Sequence, residues 1–147
     1  LPGAEDYFNT VTEAAKSIPN LTCAGAVPYS EVGTMFSRAR IFLNTSQIEG
    51  FPNTFLQAWV RGVPVVAFFD PDALIEQRQL GHTATDLEDM VRAIVRLLQD
   101  DDERDRIGER ARAYAVAHFG PTHIASRYLE MLSAQDASQV LRYGTSG

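Results

Sequence analysis

The run Asn44-Thr45-Ser46-Gln47-Ile48-Glu49-Gly50-Phe51-Pro52-Asn53-Thr54-Phe55-Leu56-Gln57-Ala58 holds the groups best suited to handling a ligand. Glu49 is its one carboxylate and could accept hydrogen bonds from sugar hydroxyls. Gly50 lets the backbone approach a ligand closely. After Pro52 the spacing predicts a short helix over residues 53–61. The first turn of such a helix presents unpaired N–H groups and a partial positive charge, a seat for a diphosphate. Each amide so used contributes about 0.5–1.5 kcal/mol net. Asn53 can cap the helix and line the site, and Thr54 and Gln57, three apart, share a face, while Phe55, Leu56 and Trp59 pack elsewhere. The residue types alone leave a second reading open, in which Glu49 is a solvated loop acid and Asn53 only a cap.

The elements that must position this stretch are short apolar runs alternating with helical patterns, the mark of a parallel sheet with crossover helices. A first helix is expected over residues 4–18, with Tyr7, Val11, Ala14, Ala15 and Ile18 on one face. Pro19-Asn20 ends it, and Leu21-Thr22-Cys23-Ala24 reads as a buried first strand. A second helix follows Pro28-Tyr29-Ser30, with Ser30 as N-cap and Val32, Met35, Phe36 and Ala39 inward. Ile41-Phe42-Leu43, an unalternating apolar run, is the second strand. Gly62 suits a left-handed C-cap, residues 64–69 are the third strand, and Asp70-Pro71-Asp72 is the turn after it. Strand signals stop there. Thr85-Asp86-Leu87-Glu88 reads as a capping box opening a helix with Leu87, Met90, Val91, Ile94, Leu97 and Leu98 on one stripe. Residues 101–118 and 121–134 are two further helices, Pro121 in the first turn of the second, and 135–147 form a loose tail.

Composition narrows the classes. With 147 residues and 45% apolar content the chain can bury one core. A net charge of −6 without a Lys/Arg run argues against nucleic-acid binding. The single Cys23 excludes an internal disulfide, suits a reducing, cytoplasmic setting, and in a buried strand would be a poor nucleophile. No apolar stretch is long enough to span a membrane, and no secretory signal is legible; membrane association of a longer parent stays open. No metal site is expected, because His82, His118 and His123 lack partners at ligand spacing. His82 is expected in a solvated loop, and Asp70 and Asp72 either form a turn or approach a ligand.

The run from Pro28-Tyr29-Ser30-Glu31 to Val66, with Ser46, Glu49-Gly50-Phe51-Pro52-Asn53-Thr54, Gln57-Ala58 and Gly62-Val63-Pro64-Val65-Val66, resembles the carboxy-terminal domain of GT-B-fold glycosyltransferases. Within these it is most similar to the large retaining family 4, and the likeness extends to about Leu132. The resemblance implies an α/β domain over residues 1–134, a Rossmann-like parallel sheet with helices on both faces that lacks its first strands. An unsatisfied sheet edge would then favour self-association. It implies that Glu49 contacts the donor sugar near the reacting centre, that Gly50, Phe51, Pro52 and Asn53 hold the diphosphate, and that Val27 lines the nucleobase pocket. The family's second glutamate, eight positions on, is here Gln57. A neutral acceptor in place of a charged one costs about 1 kcal/mol, roughly fivefold in affinity.

The chain is therefore expected to be the donor half of a retaining transferase that moves a sugar from a UDP- or GDP-sugar to a glycan or lipid-linked hydroxyl, without a cofactor. The donor domain's opening strand-loop-helix unit, whose basic residues reach the donor phosphates, and the separate acceptor-binding amino-terminal domain are both expected to lie outside the chain, which would leave the fragment inactive alone. Two alternatives remain. A GT-B epimerase or phosphorylase shares the cleft, though a phosphorylase needs a cofactor lysine and Lys16 is the only lysine. A flavodoxin-like or receiver-type interaction module shares the architecture.

Overall fold

The computed structural model describes residues 4–130. The chain divides into two compact units, Leu1–Val32 and Gly33–Gly147. In the first, α1 (Ala4–Lys16) is followed by irregular chain to Pro28. Ser17, Ile18 and Leu21 close successive turns after the helix, their N–H groups bonding carbonyls three back. The expected strand at Leu21-Thr22-Cys23-Ala24 is not formed, and all four residues are exposed. An apolar run becomes a strand only when a neighbouring backbone satisfies its N–H and C=O groups. Cys23 is accordingly exposed rather than buried. The stripe expected on α1 also faces outward in large part, with only Ala15 buried. The second helix, α2 (Tyr29–Arg38), starts two residues earlier than expected. Ser30 therefore lies inside it, and the Pro28 carbonyl accepts from Glu31 and Val32.

The second unit is built on a parallel sheet in the order β1-β2-β3, comprising β1 (Phe42–Asn44), β2 (Val65–Ala67) and β3 (Gly81–Thr83). The register pairs Phe42 with Val65, Leu43 with Val66 and Asn44 with Ala67, and Val65 to Ala67 with Gly81 to Thr83. All three β2 residues are buried, so both faces of the central strand are covered. Val66 points into a cluster with Met90, Ala93, Leu97 and Ile107. Side-chain alternation sends Val65 and Ala67 to the opposite face. Helix α3 (Asn53–Trp59) makes the crossover from β1 to β2 and contributes the fully buried Phe55, Ala58 and Trp59. The α/β architecture is that of a Rossmann-like sheet.

The sequence predicts three strands and the described residues form three, but not the same three. β3 escapes the sequence pattern because Gly81-His82-Thr83 has no apolar run and all three residues are half-buried. Before it, Pro71–Ala73 forms a 3-10 turn with Asp72 and Ala73 at positive φ, and α4 (Leu74–Arg78) follows. The capping box shifts by one residue. Asp86, not Thr85, caps α5 (Leu87–Gln99), accepting from the Asp89 N–H at 2.8 Å, while the Asp89 carboxylate reaches back to the Thr85 N–H. Helix α6 (Asp101–Phe119) is capped by Asp100 and carries three acids in its first turn, where the helix dipole favours them. Its backbone lies directly on the α3–β2 corner. Gly62 there adopts the expected left-handed conformation (φ 71°), and a Cβ on Gly108 would stand 2.1 Å from the Gly62 carbonyl oxygen. Residues 121–130 are again helical. The expected end of that helix at Ala134 and the tail 135–147 lie outside the described residues.

Candidate functional site

Parallel strands bring their carboxyl ends to one edge of the sheet, so the chain leaves β1, β2 and β3 on the same side, where open α/β sheets hold their ligands. The segment after β1 is anchored at both ends. At its start the Asn44 Oδ1 accepts the Ser46 N–H at 2.7 Å, a local turn that bends the chain off the strand. At its end the Phe51 ring stacks on Phe119 of α6, with centroids 5.3 Å apart, and meets Trp59 of α3 edge-on at 6.1 Å. Trp59 also meets Tyr114 at right angles and packs on Phe55, which stacks on Phe69 just beyond β2. Such ring pairs contribute about 0.5–1.5 kcal/mol each beyond the area they bury.

Between the anchors Thr45, Gln47, Ile48, Glu49 and Gly50 are exposed, Ser46 being half-buried. Glu49 makes no hydrogen bond or ion pair with any described residue. Gly50 does not use the left-handed region, and a Cβ there would meet nothing within 4 Å. The fold itself therefore places no demand for glycine at this position.

Asn53 does not cap α3. Pro52, in extended conformation (φ −74°, ψ 125°), is the N-cap residue, and its carbonyl accepts the Phe55 N–H at 3.0 Å without any side-chain cap. The proline ring presets the entry into the helix, which leaves Asn53 one position too late to cap. Asn53 and Thr54 keep exposed side chains, and their N–H groups, at the first two positions of the helix, have no intrahelical acceptor. Gln57, half-buried, borders a hollow of about 360 Å³ walled chiefly by Leu56, Val60, Ala115, Val116 and Phe119. The expected residues from Glu49 to Gln57 are thus gathered on one loop and helix. Val27 belongs to the other unit, half-buried in irregular chain.

The next strand ends carry residues already engaged. Both Asp70 carboxylate oxygens accept backbone N–H groups at the start of α4, from Ile75 at 2.7 Å and Glu76 at 3.0 Å, so Asp70 is a turn-former. His82 is not in a solvated loop. It is the central residue of β3, with Nε2 3.1 Å from Asp89 Oδ2 and Nδ1 3.7 Å from Glu76 Oε1. The Thr85 backbone N–H, then His82 and Arg92, hold the Asp89 carboxyl below the ordinary aspartate value. A larger hollow, about 760 Å³, lies away from this loop along α5 and the start of α6.

Two contributors went unread in the sequence. Asn44 directly after an apolar run carried a usable signal, because Asn at a strand end favours a side-chain-to-backbone turn. Phe119 carried none, since an aromatic on a distant helix does not reveal which loop it meets.

Residues 3–100 match the family described as glycosyl transferases group 1, a span that takes in the whole sheet, the Glu49 loop, α3 and α5. A lipopolysaccharide core biosynthesis glycosyltransferase, LpsE, of Rhizobium meliloti (strain 1021) is 28% identical over 99 residues, which is 65% of this chain and 29% of that protein. The chain spans less than a third of that relative's length. A match over most of a chain that folds into the parallel α/β sheet its motifs imply is sufficient: this chain belongs to the glycosyl transferase group 1 family.

Proposed function

We propose that the segment from Glu49 to Gln57 is the donor site of a glycosyltransferase that takes its sugar from a nucleoside diphosphate sugar. The observation that carries this reading is Glu49, an exposed carboxylate without a partner among the described residues, held beyond a strand's carboxyl end on a loop pinned at Asn44 and Phe51. A solvated acid needs no such mounting. In this reading Glu49 accepts hydrogen bonds from donor-sugar hydroxyls and favours positive charge developing at the anomeric carbon. Gly50 opens the space through which the diphosphate approaches, the backbone N–H groups of Gly50, Phe51, Asn53 and Thr54 donate to it, and Gln57 meets the nucleoside. Retention of anomeric configuration follows from the family resemblance. The name of the relative, a lipopolysaccharide core enzyme, favours a saccharide hydroxyl as acceptor. Transfer is assigned to the whole protein, and this chain supplies one wall of the cleft.

Protein-observed NMR titration with UDP, GDP and inorganic phosphate tests the assignment. Shifts centred on Gly50 to Gln57 under one nucleotide, weakened by Glu49→Ala with a sugar nucleotide and by Gln57→Ala with either form, support it and name the base. Silence of that loop toward every nucleotide in the full-length protein would sink it.

A further inference from the structure

Helix α5 carries two apolar faces, and only one is used by the fold. Met90, Ala93 and Leu97 are buried against the sheet and α6. Leu87, Val91, Val95 and Leu98 recur at helical spacing on a second face and are 67%, 51%, 44% and 44% exposed. The single stripe read from the sequence thus divides into an inward and an outward half. Four scattered apolar residues would need no explanation, but a stripe on consecutive turns marks a contact surface.

We propose that this outer face of α5 pairs with the same face of a second copy, the two helices running antiparallel about a two-fold axis at Val91. The charges beside the stripe argue for this occupant. At 1.5 Å rise per residue, a two-fold at Val91 sets Leu87 opposite Val95 of the other copy. It also sets Glu88 level with residue 94 of the other copy, midway between Arg92 and Arg96. Glu88 is almost fully exposed and touches Arg92 only at 3.9 Å, so its carboxylate is free to turn toward the second copy. Arg92 and Arg96 are more than half exposed, and their ion pairs with Asp89 and Glu103, at 3.4 Å each, leave further guanidinium N–H groups to share. The two-fold repeats each pairing, which makes the face self-complementary. An anionic lipid surface would meet Glu88, Asp100, Asp101 and Asp102 around the same stripe. The stripe is about 17 Å long, short against the roughly 800 Å² per partner of a standard interface, so the pair is weak.

Sedimentation equilibrium of the chain from about 10 µM to 1 mM tests the proposal. Concentration-dependent association is expected, weakened at least tenfold by Val91→Glu and independently by Val95→Glu, each checked for folding by circular dichroism. Glu88→Arg alone and the pair Arg92→Glu with Arg96→Glu alone should each be monomeric, and an equimolar mixture of the two should associate. A wild-type chain that stays monomeric throughout, association that survives both glutamates, or a mixture of folded charge variants that stays monomeric overturns it. A monomer that instead binds neutral phosphatidylcholine vesicles through Val91 would reassign the face to lipid.

Discussion

Residues 45–50 and 53–67 are separated by only Phe51 and Pro52 yet are built on opposite terms. In the later stretch Phe55, Ala58, Trp59 and every residue from Val63 to Ala67 are buried, and α6 lies so close that Gly62 and Gly108 touch backbone to backbone. In the earlier stretch every residue but Ser46 is exposed, and the one carboxylate has no partner among the described residues. The contrast separates two tasks. The α3–β2 wall holds the fold, and the loop, mounted on it by Phe51, is free to hold something that is not protein. Changes in the wall should therefore alter stability, and changes in the loop should alter binding alone.

Trp59→Ala is the severest test, because it empties a fully buried site at the centre of the ring cluster. It should cost about 3–5 kcal/mol in urea denaturation; a loss below about 1 kcal/mol would erase the distinction between wall and loop. Phe51→Ala sits at the junction. Loss of its two ring contacts should cost about 1–2 kcal/mol and broaden amide resonances from Ser46 to Asn53, a double effect expected at neither end alone.

Asp89 sharpens the comparison in a third place, where β3 meets α5. Its carboxyl is held below the ordinary 3.8 by the Thr85 N–H first and by His82 next. A lowered folded value means the carboxylate's contribution is present above the unfolded value and is lost as pH falls through the folded one. Asp89→Asn should thus lower stability at pH 7 and flatten its decline below about pH 4, as read from denaturation curves at both pH values. Equal acid sensitivity in variant and wild type would contradict this. The smallest effect on stability belongs to the loop. Glu49→Gln and Gly50→Ala should each change it by less than about 0.5 kcal/mol while reducing sugar-nucleotide binding in the full-length protein. For Gly50→Ala this outcome would mean that a ligand, and not the fold, demands the glycine.

Much of the fold was readable from local pattern. The alternation of apolar runs and helices, the helix after Pro52, the left-handed Gly62 and the loop motif that joins the chain to its family each depend on residues close in sequence. Backbone preference and hydrophobic period act over a few residues, so they survive without knowledge of the fold. What depended on a distant partner was decided by the tertiary structure alone. Leu21 to Ala24 is apolar but found no strand to pair with, whereas Gly81 to Thr83 has no strand pattern in its sequence and is a strand because β2 lies beside it. The face that α5 buries, the move of its cap from Thr85 to Asp86, and the stacking of Phe119 on Phe51 have the same origin. In each case the sequence permits several states of similar energy, and the choice falls to whichever backbone or side chain the completed fold brings within bonding distance.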